Sequence, residues 1–180
     1  MKNNGFTLIE LLVVVAIIGV LAAVGVVAFN GFIKSARISV IKSNHEIVKK
    51  KIHLLVQECN VNSSAKMMNI RNDTQLNEVD CYGNPVWFFG EYLKNHFNNE
   101  IGWTNPLNLT SMGVSNMGTM QEGSCYGATQ DQYQGFVWVR SLTASTPGDK
   151  RVSVCTCFEK PCSSTNNRLD LLSYFYQMRH

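Results

Sequence analysis

The chain has 180 residues, of which 45% are hydrophobic and 16% charged, with a formal net charge of +3. Its 13 glycines and 4 prolines are too few for a collagen-like or disordered chain, and +3 is too little charge to imply nucleic-acid binding by itself. Hydrophobic residues fill 23 of the first 33 positions and no second long apolar run follows, which argues against a polytopic helical membrane protein.

Residues 11–33 carry no charge. A helix over that stretch is roughly 35 Å long, enough to cross a hydrocarbon core of about 30 Å. Three readings compete. One is a secretory signal peptide, with Lys2 at its charged end and cleavage near Ala22 and Ala23. Another is a plain single-pass anchor. The third gives a task to Glu10, a carboxylate placed immediately before the apolar run. At mid-membrane such a group costs on the order of 2.5–3.5 kcal/mol, so it normally has a partner and a function.

Gly5-Phe6-Thr7-Leu8-Ile9-Glu10, followed by the apolar run through Ala23, resembles the start of a type IV prepilin, nearer the type IVa branch. The resemblance covers about residues 1–33. It implies that residues 1–5 are a leader, cut between Gly5 and Phe6 by a prepilin peptidase that also methylates Phe6. It implies that Glu10 attracts the N-terminal ammonium of a neighbouring subunit as helices bundle into a filament. The implied partners are identical subunits, the peptidase/methyltransferase, the inner membrane before assembly and the pilus assembly machinery. The implied destination is an extracellular pilus. The sequence departs from the resemblance at Val27, where filament pilins commonly carry a helix-breaking proline. Gly19 and Gly25 loosen a helix more weakly, by roughly 1 kcal/mol each against alanine.

Neither glycine nor proline occurs from residue 32 to residue 60. Ile38, Ile41, Val48, Ile52, Leu55 and Cys59 recur at steps that mark one helix face, and Ser39, Lys42, Glu46, Lys49 and His53 lie opposite. One helix is therefore expected over residues 6–59, its first part (6–33) a membrane or assembly segment and its second part packed under a globular domain. Lys34, Arg37, Lys42, Lys49, Lys50 and Lys51 make this stretch basic. A solvated helix face accounts for them; a DNA-contacting stripe has no specific support.

Residues 60–180 form the expected head domain. Residues 60–80 are polar and read as loop with one short helical turn. A Gly-Asn-Pro turn precedes the apolar Val86-Trp87-Phe88-Phe89, and residues 91–98 fit a short helix. Residues 102–134, rich in Gly, Asn, Ser and Thr, read as loop. Residues 135–142 and 151–158 alternate as strands, joined by a turn at Pro147 and Gly148 into a β-hairpin. Residues 169–178 fit a terminal helix somewhat better than a strand. The expected fold is α+β: a long N-terminal helix packed on an antiparallel sheet, with a disulfide-bearing C-terminal region.

The six cysteines, Cys59, Cys81, Cys125, Cys155, Cys157 and Cys162, read as three disulfides in an exported domain, with fifteen possible pairings. Cys155 and Cys157 share one strand face, so each needs a separate partner. The favoured set is Cys59–Cys81, Cys125–Cys155 and Cys157–Cys162. A metal site lacks the paired two-residue spacings of zinc ligands, and no cofactor is expected. His45, His53, His96 and His180 are scattered, as surface histidines are, and no catalytic motif is present. The function read from the sequence is a structural subunit of a type IV pilus, serving adhesion, motility or DNA uptake. The alternatives are a type II secretion pseudopilin and a membrane-anchored, cysteine-rich metal-binding module.

Overall fold

A computed structural model describes residues 7–62, 64–68, 76–80, 87–119, 126–143 and 149–177. The chain divides into two units, Met1–Arg37 and Ile38–His180. Helix α1 runs Leu8–Asn62, 55 residues without a break at Val27, Gly19 or Gly25. In the first unit its apolar side chains face outward on every side: Leu12 is 65% exposed and Val27 74%.

The second unit contains the core. Ile41, Val48, Ile52, Leu55 and Cys59 are buried, so the face expected from periodicity is the packed one. Ile38, at its upper end, is half-buried. Helix α2 (Trp87–Asn95) continues into a π-helical turn, His96–Glu100, and supplies Tyr92, Leu93 and Phe97 to the same cluster.

Strands β1 (Ser64–Met68) and β2 (Leu76–Asp80) form an antiparallel pair, with Ser64 opposite Asp80. Strands β3 (Thr104–Asn105) and β4 (Asn108–Met112) form a second pair. The main sheet has four strands: β5 (Val114–Thr119), β6 (Val137–Thr143), β7 (Asp149–Cys157) and β8 (Arg168–Gln177). Val114 lies opposite Val137, and Val139 opposite Val154. With Val152 these valines make the apolar face that meets α1 and α2. Side chains alternate along a strand, so Trp138 and Cys155, also opposite one another, fall on the other face. There they pack with Ala128, Tyr133 and Phe136.

Four expectations are corrected. Residues 60–80 contain β1 and β2, because a backbone ladder needs no apolar alternation to form. Residues 102–134 contain β3, β4, β5 and two short 3-10 turns, Tyr126–Thr129 and Asp131–Tyr133. Residues 168–177 are strand β8, because pairing with β7 at eight positions satisfies backbone groups along its length. The sheet is mixed: β5 runs parallel to β6, since the connection between them is long enough for a crossover. The hairpin of β6 and β7 is as expected, and its turn at Pro147 and Gly148 lies outside the described residues.

Asn98 fastens the π-turn to the sheet. Its Oδ1 accepts from the amides of Gly113 (3.1 Å) and Val114 (2.9 Å), and its Nδ2 donates to the Val114 carbonyl (2.7 Å).

Two neighbouring substitutions separate core from surface. Ile52→Ala empties a fully buried site and should cost about 2–5 kcal/mol. Leu54→Ala, at a side chain 62% exposed, should change stability by less than about 0.5 kcal/mol. Chemical denaturation of the two variants in detergent, followed by circular dichroism, measures both.

Candidate functional site

The first turn of α1 is closed by its own side chains. The Thr7 amide and hydroxyl both donate to Glu10 Oε2, at 2.8 and 2.7 Å, and the Glu10 amide donates to Thr7 Oγ1 at 3.3 Å. Thr7 is thus the N-cap and Glu10 the third helical residue of a reciprocal capping box. The Thr-x-x-Glu spacing was legible in the sequence as a cap, in addition to its reading as an isolated carboxylate. Glu10 Oε1 has no hydrogen-bond partner among the described residues. Gly5 and Phe6 lie outside the described residues.

Beyond the cap, α1 contains an 18-residue window of mean hydropathy 3.1, none of it buried. Leu11, Leu12, Val13 and Leu21 lie on different sides of the helix, and each is half or more exposed. A helix that is apolar all round requires an apolar surround, from lipid or from other helices. The basic residues that follow are partly engaged. Lys49 pairs with Glu46 at 3.3 Å, and the Lys42 ammonium lies 4.0 Å from the centre of the Phe158 ring.

Cys157 and Cys162 form a disulfide that closes a loop of sequence separation 5. Cys59 and Cys155 are disulfide-bonded as well, while Cys81 and Cys125 lie outside the described residues. Cys59 belongs to the cluster between helix and sheet, and Cys155 to the cluster on the far face, so the sheet separates the two.

One histidine departs from expectation. His45 is only 3% exposed, on the same face of α1 as Ile41 and Val48. Its Nδ1 lies 3.0 Å from Thr156 Oγ1, a hydrogen bond that joins the helix to β7. The signal was its place in the three- and four-residue steps from Ile41 to Val48. Burial pulls the His45 pKa down to about 4; the nearby Glu46 carboxylate opposes the shift and Lys49 adds to it. His53 and His96 have partners of their own, His96 with Glu100. No group of three or more metal-ligating side chains occurs among the described residues.

A family model described as the prokaryotic N-terminal methylation motif matches residues 1–26. That motif is the hallmark of type IV pilin-like prepilins. It supports a pilin-like or pseudopilin protein, and with the apolar helix it points to a membrane-anchored precursor processed by a prepilin peptidase. No solved structure matches the chain.

The His45 shift has a defined sign. A histidine held neutral when folded destabilises the fold wherever the unfolded chain binds the proton and the folded chain does not. Stability should therefore fall as pH drops from 6.5, the ordinary value, toward about 4. The loss attributable to this group is on the order of 3 kcal/mol. Melting temperatures from pH 7 to pH 4 should show a shallower decline in His45→Gln than in the native chain.

Proposed function

We propose that the chain is a structural subunit of a type IV pilus. In this reading it is cut between Gly5 and Phe6, methylated at Phe6, held in the inner membrane by α1, and then assembled through residues 6–32 into a surface filament. Adhesion, twitching motility or DNA uptake would be functions of that filament, and the chain itself performs no catalysis. The observation that supports this best is a long helix, apolar on all sides, opened by one carboxylate inside the methylation motif.

Cleavage leaves an ammonium at Phe6. In an apolar filament core neither that cation nor Glu10 stays unpaired cheaply. A staggered neighbour brings them together; other registers do not. The pair then selects register more than it adds net stability. The capping box is compatible with this role, because Thr7 occupies only Oε2.

Two substitutions divide the roles of cap and charge. Glu10→Gln keeps a capping acceptor and removes the charge, so membrane insertion should be normal and filament yield low. Thr7→Val removes the cap, at about 1 kcal/mol of helix stability, and keeps the charge, so assembly should largely survive. Filaments sheared from cells, weighed and sequenced from the N-terminus, read both outcomes. Methylated Phe6 in long surface fibres supports the reading, and a start after Ala23 overturns it. Retention in the periplasm as short assemblies would favour a pseudopilus.

The disulfide set belongs to the same reading. Cys157 already holds Cys162, and the sheet separates Cys59 from Cys155. We assign Cys59 to Cys81 and Cys155 to Cys125. Non-reducing peptide mapping should recover those two linked pairs and no free thiol. Peptides linking Cys59 to Cys125 would reverse the assignment.

A further inference from the structure

From a cavity in the head domain we infer a binding site for a neutral saccharide. The cavity holds about 480 Å³, within the roughly 300–1,000 Å³ usual for small-molecule sites. Three segments wall it: the β3–β4 pair with Asn105 and Asn108, the turn Asp131–Tyr133 with Gln134, and the disulfide loop with Lys160. The inference does not depend on filament assembly.

The walls are tied to one another through their own side chains. Asn105, 2% exposed, donates from Nδ2 to the Gln134 carbonyl at 2.9 Å and accepts the Leu107 amide on Oδ1 at 2.9 Å. Gln134 Nε2 donates to the Phe158 carbonyl at 3.0 Å. Asp131 Oδ1 accepts the Cys162 amide at 2.7 Å. Gly135, at φ +88°, lies so close to Asn105 that any β-carbon there would collide with the amide. These bonds fix the frame before any ligand arrives, which lowers the ordering cost of binding.

Several groups without a partner belong to residues that line the cavity. Asp131 Oδ2, the Asn108 Nδ2 amide, the Ser111 hydroxyl and the Lys160 ammonium have no protein partner among the described residues. Tyr133 and Phe136 also line the cavity, edge to face, with centroids 6.1 Å apart. Hydroxyls that donate and accept at once suit a carboxylate oxygen beside amide donors, and the C–H face of a pyranose suits an aromatic ring. A phosphate or sulfate fits poorly, because the single ammonium shares the site with the Asp131 carboxylate. A divalent cation fits poorly, because one carboxylate is too few ligands.

Full-length protein in a zwitterionic detergent, which brings no sugar headgroup, should be titrated with lactose, cellobiose and mannobiose. Saturation-transfer NMR reads the binding. At least one disaccharide should bind saturably. Asp131→Asn keeps the Oδ1 bond to Cys162 and alters only the free oxygen, and should weaken binding about tenfold. Asn108→Asp keeps the bonds to Thr110 and removes the donor, with a similar loss. Lys160→Gln removes one donor from the site and should weaken binding less than either of these changes, because a lone exposed ammonium contributes little. The inference is overturned if no disaccharide binds, if both Asp131→Asn and Asn108→Asp bind normally while folded by circular dichroism, or if sulfated sugars alone bind and Lys160→Gln abolishes it.

Discussion

The head domain depends on one seam: the face of α1 that carries Val48, Ile52, Leu55 and Cys59 against the valine face of the sheet. Two periods must agree there. The helix returns to the same face every three or four residues, and β6 and β7 return every two. Val137 and Val139 on one strand, and Val152 and Val154 on the next, give a flat apolar patch on which the helical ridge can lie. A one-residue slip of β7 would replace Val154 by Ser153 or Cys155 and bring polar atoms into the seam. Helix α2 covers the part of the patch that α1 leaves open, and Asn98 fixes its following turn to β5.

The same helix meets a different requirement in its first unit. There its apolar side chains from Leu8 to Phe32 are exposed and its apolar surface is continuous around the axis. The chain therefore carries two solubility problems in one element. Core packing solves the second; lipid or neighbouring helices must solve the first. A capping box at Thr7 and Glu10 suits this division, because the first backbone amides of a lipid-exposed helix have no water to satisfy them.

The sequence made the helix legible because its signal is local and repeated many times: Ile41, Val48, Ile52 and Leu55 each confirm the others. The β6–β7 hairpin was legible for the same reason. Strands β1, β2 and β8 were not. Their stability comes from ladder bonds to a partner strand, and a five-residue stretch such as Leu76–Asp80 carries no sign of where that partner lies. The parallel placement of β5 beside β6 is a choice of topology, invisible in either strand alone. At the candidate site, Glu10 stood out because a carboxylate before an apolar run is rare. Its capping role and the burial of His45 were legible only by counting offsets, Thr7 to Glu10 and Ile41 to Val48.

Glu10 and His45 repeat one device on one helix. Each is a single polar group on an otherwise apolar face, and each has a hydrogen-bonding partner at a defined distance. For His45 the partner is inside the chain: Thr156, placed on the helix-facing side of β7 by the alternation that also places Val152 and Val154 there. A hydrogen bond of this kind adds little net stability, about 1 kcal/mol, but leaving the group unpaired costs more than that. The penalty falls on wrong registers and spares the right one. The seam is thus specified in part by this polar contact and stabilised by its apolar ones. If α1 also docks against copies of itself, the same logic would apply to Glu10, whose Oε2 is held by Thr7 in the helix cap.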